Sequence, residues 1–221
     1  MIKTLIAAIV FALFAAAPAR AADGGVVVLG GTGRLGAEIV RALVAAGEEV
    51  TVLARATSDT SRLDGLDVTF VTGDLLVETD VARLFTGAPF RAAIDATGIP
   101  PDGDPAFYPQ SMTHIVRWAQ ATGVGRIVLH SSVGAGDSAD LFQMDNVDEI
   151  RKASYAAKGK AEAILTESGV PFTIIRAMTV LPEGTVESGA AMLTRDRTAI
   201  GAISRDALAR LTLGCLADPA A

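Results

Sequence analysis

"VVVLGGTGRLGAEIV", Val26 to Val40, joins three local signals without a gap. Three valines and a leucine run uninterrupted and stop at glycine, which is how a strand buried on both faces reads. From Leu35, apolar residues recur at 39, 40, 43 and 44, the stripe of a helix that Gly47 closes. Between the two, Gly30, Gly33 and Gly36 stand three apart. The spacing alone is common. Between a strand and a helix it describes a loop that brings backbone up to a phosphate chain. Gly30 would let the strand turn sharply, Gly33 would let backbone approach a pyrophosphate, and Gly36 would let the helix lie close to the sheet. The helix N-terminus would face the phosphates with free N–H groups and its positive dipole end. Thr32, Arg34 and Leu35 share the loop and join the candidate cofactor contacts.

Outward from this loop the chain alternates. Strands are expected at 49–55, 67–74, 91–98, 125–132 and 171–178, after the first at 24–31. Helices are expected at 34–47, near 78–86, at 106–122, at 154–169, and from Ser204 to Leu216. Strands alternating with helices predict a parallel sheet covered on both faces. Right-handed crossovers then favour the doubly wound, Rossmann-like α/β arrangement in a single domain over residues 22–221. The irregular stretches 133–150 and 179–203 are candidates for a substrate rim, the acidic run 137–149 being a solvated loop or a lid.

The strand ends supply further candidates. Arg55 ends the second strand, 19 residues after Gly36. An acid there would bond the ribose 2′-hydroxyl of NAD, whereas an arginine suits the 2′-phosphate of NADP. Arg34 is a second partner for that phosphate, so the sequence favours NADP over NAD. Asp74, with Leu75 beside it, follows the third strand and could accept from the adenine amino group or cap the next helix. Ala96, Thr97 and Gly98 end the fourth strand, where small residues let backbone pass close to a cofactor.

Half of the 221 residues are hydrophobic, enough for one ordinary core without disulfides. The single cysteine, Cys215, sits in a helical apolar stretch and reads as a core residue. "MIK", an apolar run of 13 and the Ala19-Arg20-Ala21 site together predict a signal peptide over residues 1–21 and, where it is used, an exported, periplasmic product with no lasting membrane anchor; otherwise the protein stays in the cytoplasm. Its loss would leave 17 basic against 25 acidic residues, a net charge of −8 where the full chain has −6. Such a surface argues against nucleic acid as a partner. His114 and His130 read as helix and strand fillers, and two histidines with one cysteine make no metal cluster.

"GGTGRLG" (30–36), "LAR" (53–55), "GD" (73–74), "IVLHSS" (127–132), "AKGKAEAILTESGVPFTIIRA" (157–177) and "AISRDALARL" (202–211) together resemble the atypical short-chain dehydrogenase/reductases. The nearest group is the compact NAD(P)H-binding, NmrA-like proteins, which include flavin- and biliverdin-reductase-like members. The resemblance covers nearly all of 24–221. It implies Gly30, Gly33 and Gly36 at the pyrophosphate, Arg34 and Arg55 at the 2′-phosphate, and Asp74 at the adenine. It also implies Ser131 or Ser132 beside the nicotinamide. Lys158, four residues before Glu162, would match the lysine of the active-site helix. Catalytic members carry a tyrosine four residues before that lysine. Here Ser154 stands in that place and Tyr155 is one position late. Each helical residue turns by about 100°, so Tyr155 points about 100° away from the expected direction. Tyr155 is thus a displaced candidate general acid.

Two functions follow as expectations. One is an NADPH-dependent reductase of a small conjugated acceptor, flavin- or quinone-like, which can take its proton from water. The other is a non-catalytic NADP(H)-binding protein that senses redox state or serves a protein partner. A nucleotide-sugar epimerase is disfavoured, because the chain lacks the extra C-terminal lobe and the correctly spaced tyrosine. Export and a free NADPH supply pull against each other.

Overall fold

The first strand, β1 (Gly25–Leu29), is buried along almost its whole length, as its unbroken apolar run requires. Around it a computed structural model places six parallel strands in the order β3-β2-β1-β4-β5-β6. It describes residues 24–141, 147–185, 191–196, 199 and 201–217. The expected signal peptide lies outside the described residues.

The other strands are β2 (Val50–Ala54), β3 (Thr69–Thr72), β4 (Phe90–Asp95), β5 (Arg126–Ser132) and β6 (Phe172–Ala177). The helices are α1 (Arg34–Ala45), α2 (Glu78–Gly87), α3 (Phe107–Thr122), α4 (Glu149–Glu167) and α5 (Arg205–Ala217). One core, which includes Phe85, Met112, Ile115 and Leu165, lies beneath α2, α3 and α4. The other, which includes Ile39, Leu43, Leu208 and Cys215, lies beneath α1 and α5. The protein is therefore the expected Rossmann-like sheet with helices on both faces, and the strand order reverses between β1 and β4.

Two features depart from the sequence expectation. Helix α4 begins at Glu149, five residues before the expected start, with Asp148 as its N-cap accepting from the Arg151 N–H at 2.8 Å. Its first turn is charged and solvent-facing, so it carries no apolar stripe to read. A pair of two-residue parallel strands, β7 (Thr179–Val180) and β8 (Ala202–Ile203), tethers the second irregular stretch. The acidic run is resolved as a 3-10 turn, Gly136–Leu141, and as the start of α4; residues 142–146 lie outside the described set.

The turn from β1 into α1 depends on two glycines. Gly30 takes φ +75°, where side chains are strained, and a Cβ there would sit 2.8 Å from the Ala96 carbonyl oxygen. A Cβ on Gly36 would come within 2.1 Å of the Gly30 carbonyl oxygen. Gly36→Ala must lift α1 from the sheet, and about 3 kcal/mol of destabilisation is expected. Gly87→Ala, whose Cβ meets nothing within 4 Å, is the control. Thermal melts of the two variants should differ by several degrees; equal melting temperatures would mean that α1 is free to shift.

Candidate functional site

The loop at the β1 end opens toward solvent. Gly33 is the N-cap of α1, and no side chain caps the helix. No acidic residue sits in the first turn. Those N–H groups are available to an anion, and no carboxylate competes for them. A Cβ on Gly33 would meet only the Gly30 carbonyl oxygen, at 3.2 Å, so this side of the loop is bare backbone. The cradle fits a dinucleotide pyrophosphate. Thr32, Arg34 and Leu35 lie around it, with Arg34 largely exposed.

Three arginines lie around the β2 side of this loop. Arg55 follows β2, is exposed, and donates its N–H to the Ser58 hydroxyl at 3.1 Å. Arg62, in the 3-10 turn Ser61–Leu63, is fastened through its carbonyl to the Arg41 guanidinium at 3.1 Å. Its own guanidinium ion-pairs with Glu183, whose other oxygen lies 3.9 Å from Arg34 Nε. Sequence spacing did not reveal Arg62, since no strand end marks it. A second arginine seven positions after Arg55 in "LARATSDTSRL" was the available signal. Asp74 accepts from the Leu76 N–H at 2.9 Å and so closes the turn ahead of α2, whose own N-cap is Val77. Leu75 is buried, and its carbonyl accepts from His114 Nδ1 at 2.8 Å.

Beyond the loop the backbone leads directly to a polar pocket. The Ala96 N–H bonds the Leu29 carbonyl at 3.0 Å, and the Thr97 N–H donates to Asp95 Oδ1 at 2.9 Å. Space beside Gly98 is open. Asp95, Thr97, Tyr108, His130, Ser131 and Lys158 line the small pocket that follows, at the carboxyl ends of β4 and β5. Lys158 Nζ donates to Ser132 Oγ at 2.8 Å. Burial pushes the Asp95 carboxyl up and the Lys158 ammonium down, and each charge opposes the shift of the other. His130 Nε2 meets Thr212 Oγ1 at 3.0 Å. His130 Nδ1 and Ser131 Oγ are buried without a protein partner, a state that buried polar atoms rarely keep unless a ligand or water completes them.

Helix α4 divides its candidates between two places. Lys158 joins Ser131 and Ser132 at the polar pocket. Tyr155 instead lines a separate groove with Gly134, Gly136, Ala139 and Lys160. Ser154 lines an open cleft of about 320 Å³, with Ile99, Pro100, Pro101, Pro105 and Tyr108 facing Asp148, Ile150 and Arg151. Tyr108, from the first turn of α3, was missed in the sequence. It is the chain's other tyrosine, and that scarcity was the one clue.

Lys158 reaches Ser132 because of another glycine contact. A Cβ on Gly159 would lie 2.8 Å from the Gly136 backbone nitrogen, so the loop after β5 rests directly on α4. Glu162, one turn on, is buried and holds Arg176 of β6 bidentately, at 3.0 and 2.7 Å.

The chain belongs to the NAD(P)H-binding family, whose model matches residues 30–219. Solved structures share its fold. The anaerobillin reductase ChuY of Escherichia coli O157:H7 superposes with a TM-score of 0.75 at 21% identity, over 88% of this chain and 90% of that one. The Bordetella bronchiseptica enzyme WbmH, in complex with NAD+, gives 0.70 at 19% identity, over 88% and 72%. Among curated proteins, sterol demethylase protein B of Methylococcus capsulatus is 37% identical over 117 residues, 49% of this chain. The match covers 34% of that protein, so the chain spans about a third of its length. No helix among the described residues is long and apolar enough to cross a membrane.

Burial and the nearby Lys158 charge hold His130 down to about 4, so it is neutral at neutral pH. Between pH 6.5 and about 4 the unfolded chain binds a proton that the folded chain refuses. Stability must therefore fall as pH falls through that window. His130→Gln should flatten the loss by about 2 kcal/mol between pH 7 and 4.5. Urea midpoints of both proteins at the two pH values measure it, and parallel losses would show that His130 is not the group responsible.

Proposed function

We propose that this protein binds NADP(H) and acts as an NADPH-dependent reductase of a small conjugated acceptor of the flavin or quinone type. One arrangement carries the reading. A bare, uncapped glycine loop runs through Ala96 and Thr97 into a buried Lys158–Asp95 pocket, and an open cleft adjoins it. The bound nicotinamide would supply a hydride to the acceptor. Gly30, Gly33 and Gly36 shape the pyrophosphate cradle. Lys158 holds a positive charge beside Ser132 and would anchor the ribose hydroxyls. Ser131 brings an unpaired hydroxyl to the same pocket. The cleft, with proline and isoleucine walls on one side, would take a flat ring system. That ChuY is an anaerobillin reductase supports an acceptor of this conjugated class.

The preference for NADP rests on Arg34, Arg55 and Arg62. Glu183 draws in Arg34 and Arg62 and so holds their guanidinium groups together, at the cost of repelling a further anion. A 2′-phosphate would compete with it for the same guanidinium groups. The second reading, a non-catalytic NADP(H)-binding protein, draws on Ser154 occupying the position of the tyrosine on α4.

Titration with NADPH and NADH, then NADPH oxidation with riboflavin and menadione, tests the proposal. NADPH should bind at least tenfold more tightly, and Arg55→Asp should weaken it by about tenfold while leaving NADH nearly unchanged. Glu183→Gln should tighten NADPH by up to about fivefold and leave NADH unchanged. Equal affinity for the two dinucleotides would remove the arginines from the site. Binding without oxidation on either acceptor would favour the non-catalytic reading, and no binding would overturn both.

A further inference from the structure

We propose that Tyr108, on α3, supplies the hydroxyl that α4 lacks and donates the proton that accompanies hydride transfer. The inference rests on the reductase reading above. Tyr108 lines both the polar pocket and the open cleft, at the wall between them. Its ring lies 5.2 Å from Lys158 Nζ. Its hydroxyl accepts from the Ile99 N–H at 3.4 Å, and Ser154 lines the same cleft.

Position 154 is one turn before Lys158, where the short-chain pattern has tyrosine. Here Ser154 and Tyr108 line the same cleft, so the phenol on this cleft comes from the neighbouring helix. α3 and α4 pack side by side and hold it there.

The hydrogen-bond inventory leaves the proton available. With the Ile99 N–H donating to the phenolic oxygen, its own O–H is free to donate to a ligand in the cleft. Burial raises the Tyr108 phenol above its ordinary value, so it is protonated at neutral pH. In the step, the acceptor's carbon receives a hydride, with its two electrons, from the reduced nicotinamide. The conjugated C=O or C=N bond becomes single, the Tyr108 O–H bond breaks, and the new O–H or N–H bond forms on the acceptor. The resulting phenolate lies under the Lys158 ammonium, whose Nζ stands 5.2 Å over the ring, and regains its proton from solvent through the open cleft.

The chain has two tyrosines, so each can be observed alone. In Tyr155→Phe the tyrosinate absorbance reports Tyr108 only. Saturating NADP+ places a cationic ring in the adjoining pocket and should lower that titration midpoint by about one unit. In the kinetic arm, 9,10-phenanthrenequinone is the acceptor. Tyr108→Phe should lower kcat about 100-fold, with NADPH affinity kept within twofold. A midpoint unmoved by bound NADP+ would overturn the assignment. So would a Tyr108→Phe variant with wild-type kcat, or a loss of kcat that follows Tyr155→Phe instead. In those outcomes the dinucleotide still binds and only the role of Tyr108 fails. If NADP+ does not bind at all, the reductase reading falls and this inference falls with it. If NADP+ binds and no acceptor is reduced, the titration midpoint decides.

Discussion

No side chain fits between the end of β1 and the first turn of α1. The absent Cβ of Gly36 would lie 2.1 Å from a carbonyl oxygen, and the absent Cβ of Gly30 would press on the end of β4. Those two close approaches set the height of α1 above the sheet. They also set where its free N–H groups point, since the helix axis has no other adjustment once Ile39, Val40 and Leu43 are buried beneath it. The contact is backbone on backbone, which no rotamer change can relieve. The phosphate cradle is thus a consequence of how the helix seats, and Gly33 alone is left to keep the exposed face of the loop bare.

The same device recurs on the other side of the switch point. Gly159 lies against the Gly136 backbone, and Gly136 takes φ +54° with Glu162 pressed beside it. The loop after β5 is therefore drawn onto α4, and Ser132 comes within hydrogen-bonding distance of Lys158. Glu162 belongs to this clamp more than to the pocket. Its carboxylate is committed to Arg176, and breaking a buried pair of this kind leaves a charge stranded at a cost of about 3–5 kcal/mol. The Lys-x-x-x-Glu pattern on α4 thus combines two jobs: one residue faces the pocket, and the other ties the helix to β6.

What could be read from the sequence was whatever repeats or lies close along the chain. The valine runs, the apolar stripe of α1, the three glycines and the spacing of Lys158 to Glu162 are all local, and they located the sheet, the cradle and the lysine. Tyr108, Arg62 and Glu183 could not be read this way. Tyr108 lies 46 positions before Ser154 and shares a cleft with it only because α3 and α4 are neighbours on one face of the sheet. Glu183 lies 121 positions from Arg62. It follows the two-residue strand β7, whose pairing with β8 has no periodicity to betray it. Tyr155 shows the converse. A residue one position from the expected place, on a helix without a bulge, lines a different groove, because a helix fixes direction as firmly as it fixes distance.

The pocket's charges constrain what can happen in it. Lys158 and Asp95 are both largely withdrawn from water; burial pushes the Asp95 carboxyl up and the Lys158 ammonium down, and each charge opposes the other's shift. His130, against the same lysine, stays neutral and presents an Nδ1 without a partner among the described residues. The pocket therefore sets one cationic group against one carboxyl and adds two unsatisfied polar atoms. Such a place favours a ligand that brings hydrogen-bonding groups but no additional net charge near Lys158, as a ribose and a carboxamide do. The arginines near Glu183 set the opposite condition at the other end of the glycine loop, where charge is solvent-exposed and a 2′-phosphate would compete for the guanidinium groups. A dinucleotide with its anionic groups at one end and a neutral amide at the other satisfies both conditions in a single orientation. Such a gradient of charge along the switch point would orient a dinucleotide, with the glycine loop as the fixed point between its two ends.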